Sequence, residues 1–148
     1  MQYDDFHVLL ADDDPDDRLF FKYAIEELKI KTILTTVNDG VELMNYLSEP
    51  DASLPHVVFL DLNMPRKGGM ECLKEIRANK NYKDLSIAIY STSGSDKDIE
   101  ESFVLGANVY IKKPNDFSSL KKILAEVINI NWQYHISGLN KENFVLSI

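Results

Sequence analysis

The chain has 148 residues, 45% of them apolar and 27% charged, and a net charge of −8 at pH 7. That is one domain's length of soluble composition, long enough to bury a core. Its charge repels nucleic acid and anionic membrane and leaves a positive ion as the easier partner. The single cysteine, Cys72, excludes an internal disulfide and a thiol-paired zinc site, and is most simply a small packing residue. Neither a leader pattern nor an apolar run of membrane-spanning length is present, so a cytoplasmic location is expected.

In chain order, Phe6 to Ala11 is an apolar run that stops at Asp12-Asp13-Asp14-Pro15-Asp16-Asp17. Asp14 suits a helix N-cap and Pro15 a first turn, which predicts a helix from Pro15 to Lys29 with Asp16 and Asp17 at its positive end. A β-branched run, Thr32 to Val37, predicts a second strand. Asn38-Asp39-Gly40 reads as a turn. Val41, Met44 and Leu47 keep helical spacing, and a polar loop from Glu49 to Pro55 leads to a third strand at 56–60. That strand is a continuous apolar run, as a strand buried on both faces should be, and it ends in Asp61-Leu62-Asn63-Met64-Pro65. Arg66 to Gly69 reads as a flexible loop before a helix from Met70 to Asn79. Leu85 to Tyr90 predicts the fourth strand, ended by the hydroxyl cluster Ser91-Thr92-Ser93. Asp96 is placed to cap a helix reaching Leu105, with Gly106 as its stop. Val109 to Ile111 predicts a fifth strand before Lys112-Lys113-Pro114. The last helix runs from Phe117 to Ile130 with an apolar stripe of Leu120, Ile123, Leu124, Val127 and Ile128.

Strands alternating with helices at this spacing predict βαβ units, a parallel sheet and helices on both faces. The expected class is therefore α/β, a flavodoxin-like doubly wound sheet of five strands. Its order, 2-1-3-4-5, puts the ligand crevice between strands 1 and 3 at their carboxyl ends. Asp12, Asp13, Asp61, Ser91 and Lys113 then share one edge. Asp12 and Asp13 precede the cap residue, so capping does not account for them, and two adjacent carboxylates at a buried strand end need a cation. A hard cation such as Mg²⁺ takes oxygen ligands, which Asp13, Asp61 and the Asn63 carbonyl can supply. An aspartate can also attack phosphorus, and an ammonium and a hydroxyl beside it would stabilise the phosphoryl oxygens.

These residues together resemble the response-regulator receiver domain of two-component signalling. The resemblance spans residues 6 to 130: the acid pair Asp12-Asp13, the D-x-N-M-P-x-x-x-G block from Asp61 to Gly69, the hydroxyl of Ser91, the aromatic Tyr110 and Lys113-Pro114. It implies that Asp61 accepts phosphoryl from a sensor histidine kinase or phosphotransfer protein, and that Asp12, Asp13, Asp61 and Asn63 form the Mg²⁺ site. It further implies that Lys113 pairs with the phosphate and that Ser91 and Tyr110 are the switch. In that switch the Ser91 hydroxyl turns toward the phosphoryl group and vacates space for the Tyr110 ring. Ser91 departs mildly from the commoner Thr, keeping the hydroxyl and losing a rotamer-restricting methyl.

The resemblance is to stand-alone, CheY-like receivers. A finer likeness, resting on the Glu49 to Pro55 loop and the tail, is to those associated with phytochromes. Residues 1–130 are the expected receiver and 131–148 a C-terminal extension without an output domain, so the expected output is contact with a downstream protein target. The tail carries Trp132, Tyr134, Ile136, Leu139, Phe144, Val145, Leu146 and Ile148, and is expected either to pack over its own domain or to form a homodimer contact. Two rivals stand beside this reading. A Mg²⁺-dependent aspartyl-phosphate phosphohydrolase would want a general acid where Asn63 stands, and Asn has no proton to give. A receiver-shaped binding module that ignores phosphorylation would not need Asp61, Ser91 and Lys113.

Overall fold

The computed structural model describes residues 5–133 and 145–146. Its strands are β1 (Phe6–Ala11), β2 (Thr32–Val37), β3 (Val57–Leu60), β4 (Ser86–Ser91), β5 (Val109–Lys112) and β6 (Val145–Leu146). The first five lie parallel in the expected order β2-β1-β3-β4-β5, and β6 extends the sheet beyond β5. The helices are α1 (Pro15–Glu27), α2 (Gly40–Ser48), α3 (Gly69–Ala78), α4 (Asp96–Leu105) and α5 (Phe117–Gln133).

Alternation along the strands divides the core into two layers. Leu9, Ala11, Val58, Leu60, Ile87 and Ile89 point toward α2, α3 and α4, where they meet Leu43, Cys72, Leu73 and Ile76. Val8, Leu10, Val57, Phe59, Ala88 and Tyr90 point the other way, onto Phe21 of α1 and Leu120, Leu124 and Ile128 of α5. At about 1.5–3 kcal/mol per fully buried large apolar side chain, these two layers hold the sheet rigid. The register pairs Ala11 with Leu60, Leu60 with Ile89 and Ser91 with Lys112, so β1 and β3 end together and β4 and β5 run two residues further along the same edge.

Local chemistry sets the element ends. Asp14 caps α1 by accepting from the N–H groups of Asp16 and Asp17, as its sequence position predicts. The helix stops at Glu27 rather than Lys29, because Leu28 has already turned to extended backbone. For α4 the cap is Ser95, not Asp96: its hydroxyl accepts from the Asp98 N–H. Asp39, read above as part of a turn, caps α2. Ser91 is the last residue of β4 instead of following it, a 3₁₀ turn at Lys80–Tyr82 precedes that strand, and α5 continues three residues past Ile130.

The sixth strand was not expected. Val145 pairs with Tyr110 and Leu146 with Ile111, parallel to β5. The side-chain roles expected for Trp132, Tyr134, Ile136, Leu139, Phe144, Val145, Leu146 and Ile148 lie outside the described residues. Among the described residues no helix is long and apolar enough to cross a membrane.

Candidate functional site

The three strand ends β1, β3 and β5 converge on a cluster of charge. Asp61 follows β3, its N–H bound to the Ala11 carbonyl at 3.0 Å, and Asp12 follows β1, its N–H bound to the Val37 carbonyl at 3.1 Å. Carboxylate oxygens of Asp12, Asp13 and Asp61 all lie within 4.8 Å of one another. Asp12 is fully buried and Asp61 only 6% exposed, while Asp13 faces solvent. Such crowding of acids in a partly desolvated cleft is costly unless cations balance it.

One cation is supplied by the chain. Lys113 Nζ stands 2.9 Å from Asp12 Oδ2, 2.8 Å from Asp17 Oδ2 and 3.2 Å from Asp61 Oδ2. Far from a surface charge, its side chain is 9% exposed and lies 5.3 Å from the Tyr90 ring centre. Burial alone would lower its pKa, but Asp12, Asp17 and Asp61 outweigh that and raise it, so the ammonium stays charged. Its own backbone N–H binds the Ser91 carbonyl at 2.7 Å, which ties the fifth site residue to the group.

Lys113 does not satisfy every oxygen. Asp12 Oδ1 accepts from the Asp14 N–H at 3.0 Å, and its fully buried Oδ2 has the Lys113 ammonium as its partner. Asp61 Oδ1 accepts only a 3.2 Å bond from the Asn63 N–H among the described contacts. Burial pushes the Asp61 carboxyl up to about 6; Lys113 opposes this and Asp12 adds to it. Three carboxylates whose oxygens lie within 4.8 Å of one another fit a small hard cation that keeps part of its water shell. Gly69 lets the start of α3 pack directly on the backbone that follows β3: a β-carbon there would stand 2.2 Å from the Asp61 carbonyl oxygen.

Ser91 and Tyr110 lie on neighbouring strands, both fully buried. Ser91 Oγ accepts from the Ser93 N–H at 3.1 Å, and the Tyr110 hydroxyl donates to the Ser93 carbonyl at 2.7 Å. Ser93 Oγ in turn donates to Asp98 on α4 at 2.6 Å. The Tyr110 ring is thus buried beside Ser91, with its hydroxyl held by the Ser93 carbonyl.

Three features escaped the sequence. Asp17 looked like a helix-end acid, yet it is the nearest carboxylate to Lys113; its place one helical turn beyond Asp13 was the available signal. Tyr90 forms part of the floor beneath Lys113. Arg66 and Lys67, expected in a flexible loop, are anchored by ion pairs to Asp39 and Glu75.

A family model for the response regulator receiver domain matches residues 8–125. The chain belongs to the response-regulator receiver family. The chemotaxis protein CheY of Rhizobium etli, a probable assignment in its own name, is 31% identical, with 81% of this chain and 90% of that protein aligned. Response regulator Rcp1 of Synechocystis is 28% identical over 79% of this chain and 82% of its own length. The crystal structure of the phosphorylated cyanobacterial phytochrome response regulator RcpA superposes with a TM-score of 0.81 at 30% identity, covering 88% of this chain and 96% of that one. Rcp1 has also been solved in a Mn²⁺-bound form, with a TM-score of 0.76 and 27% identity over 88% and 96% of the two chains. Receiver domains are signalling proteins of two-component systems, in which an aspartate takes up phosphoryl, so the receiver reading from sequence stands.

Proposed function

We propose that this receiver takes phosphoryl onto Asp61, with Asp12, Asp13, Asp61 and the Asn63 backbone carbonyl holding Mg²⁺. The observation that carries the reading is the contact of one buried ammonium, Lys113, with Asp61 at 3.2 Å inside the acidic cluster. An Asp61 oxygen attacks phosphorus as the P–N bond to a donor histidine breaks. The product is an acyl phosphate, and the departing imidazole keeps the bond electrons and a proton from its surroundings. Bound Mg²⁺ would supply charge neutralisation at the phosphoryl oxygens. Lys113 pairs with one of those oxygens, and Ser91 donates its hydroxyl to another after giving up the Ser93 N–H. Asp12 holds Lys113 and shares the cation.

The donor is a sensor histidine kinase or a phosphotransfer protein, and kinship with RcpA and Rcp1 favours a phytochrome-like kinase. Output passes through protein contact, with residues 1–130 as the signalling unit, 131–148 as an extension and the cytoplasm as the location. A phosphohydrolase is the weaker reading, because Asn63 replaces the acid such an enzyme needs. The deciding experiment is transfer of radiolabelled phosphoryl from an autophosphorylated kinase of the same organism. Label should appear on the wild-type chain with Mg²⁺, and should be absent from Asp61→Asn and from samples in EDTA.

A further inference from the structure

The loop between β3 and α3 carries a strained turn. Arg66 has φ of +64°, and it alone among the described non-glycine residues has a positive φ. The Lys67 N–H closes onto the Pro65 carbonyl at 2.6 Å, making Arg66 the centre of a three-residue γ-turn of the rarer, strained hand. A residue with a β-carbon pays roughly 1–2 kcal/mol for left-handed backbone, and such strain persists only where the surroundings impose it.

Asp39 is what imposes it. Only 5% exposed, this carboxylate caps α2 through Oδ1, which accepts the Glu42 N–H at 2.9 Å. Its Oδ2 accepts both Arg66 Nε at 2.9 Å and Arg66 Nη2 at 2.5 Å. Although the Arg66 side chain is 58% exposed, its partner is buried, so this is more than an exposed surface pair. Backbone contact reinforces it: a β-carbon on Gly40, the first residue of α2, would stand 2.3 Å from the Lys67 carbonyl oxygen. The α2 cap and the loop leaving Asp61 are thus one unit, and Arg66 lies three residues beyond Asn63.

We propose that the Asp39–Arg66 clasp is a positioning device for the acceptor loop, holding its strained turn so that Asn63 and Asp61 present their oxygens together to the cation. Arg66 touches no reacting atom and acts through the loop. The inference rests on the reading of Asp12, Asp13, Asp61 and Asn63 as the Mg²⁺ site.

The test is calorimetric titration of Mg²⁺ into the full chain, with melting in EDTA, for wild type, Arg66→Ala, Arg66→Gly, Arg66→Lys and Asp39→Asn. Asn is itself a good N-cap, so Asp39→Asn keeps α2 capped. Arg66→Ala and Asp39→Asn should weaken Mg²⁺ binding about tenfold, the usual scale for residues that orient metal ligands. Phosphoramidate labelling at saturating Mg²⁺ should return to the wild-type maximal rate. Arg66→Gly relieves the turn and should melt above Arg66→Ala, yet bind Mg²⁺ as weakly; Arg66→Lys should fall between Ala and wild type. Wild-type Mg²⁺ affinity in Arg66→Ala and Asp39→Asn overturns the proposal, whatever their melting temperatures. So does wild-type affinity in Arg66→Gly, since the turn rather than the clasp would then matter. A wild-type chain that binds no Mg²⁺ is a different failure, because it overturns the metal-site reading and the clasp's role together.

Discussion

Lys113 Nζ lies closer to Asp17, at 2.8 Å, than to Asp61, at 3.2 Å, so the ammonium proposed to meet the phosphoryl group is shared with a carboxylate outside the acidic cluster. Asp17 is partly exposed, which limits such a pair to about 0.6 kcal/mol, or roughly threefold in affinity. Asp17→Asn should therefore tighten beryllofluoride binding in Mg²⁺ about threefold, measured by calorimetric titration. Unchanged or weaker binding would show that Asp17 holds Lys113 in place rather than competing for it.

The acid cluster should strain the metal-free protein. Two carboxylates about 5 Å apart repel by roughly 3 kcal/mol at an effective dielectric of 20, and the exposure of Asp13 reduces this to about 1 kcal/mol. Asp13→Asn is expected to raise the melting temperature in EDTA by a few degrees and to remove the stabilisation that Mg²⁺ gives wild type. A lower melting temperature in EDTA would contradict the repulsion.

Much of this was legible in the sequence because it rests on short-range rules. Pro15 after Asp14 marks a capped helix start, and the continuous apolar run before Asp61 marks a strand buried on both faces. Both were recovered at or within a residue or two of their positions. Parallel topology then brings the ends of β1, β3 and β5 together, so Asp12, Asp13, Asp61 and Lys113 follow from order alone. What was not legible depends on side-chain reach across elements. Asp17 to Lys113 spans 96 positions in the chain, and Arg66 to Asp39 spans 27. The second leaves no local pattern, and the first leaves only the spacing of Asp17 from Asp13. A run of Arg-Lys-Gly-Gly carries the composition of a flexible loop, and only the fold shows that both its cations are anchored. The choice of Ser95 over Asp96 as the α4 cap was a one-residue ambiguity between two good capping types. A two-residue strand such as β6 is too short to show any periodicity.

Asp61 gives the site a pH signature. Its folded pKa, raised to about 6 from 3.8 by burial, means that the native state holds this proton more tightly than the unfolded chain. Stability from this group is present below pH 4 and is lost as pH rises toward 6, by about 3 kcal/mol. His7 works in the opposite sense: burial and then His56 lower its pKa, so its contribution is present above pH 6.5 and is lost as pH falls. Urea unfolding of wild type and Asp61→Asn in EDTA at pH 4 and pH 7 separates the two. The variant should gain on wild type by about 2–3 kcal/mol between those pH values. A constant difference would contradict the raised pKa.

Ser91, Ser93 and Tyr110 link the site to α4. If the Ser91 hydroxyl turns to the phosphoryl group, it leaves the Ser93 N–H, and the Ser93 carbonyl that holds the Tyr110 hydroxyl should shift with it. Tyr110 ring resonances should therefore move on adding beryllofluoride and Mg²⁺ to wild type, and stay unmoved in Ser91→Ala, which should still take up phosphoryl. Identical wild-type spectra in both states would refute the coupling.

The most direct measurement of the central claim is the intact mass of the chain after incubation with phosphoramidate and Mg²⁺. Wild type should gain the mass of one phosphoryl group, mapped to Asp61, while Asp61→Asn gains none and omission of Mg²⁺ suppresses the gain. Equal labelling of Asp61→Asn and wild type would contradict the assignment of Asp61 as the acceptor.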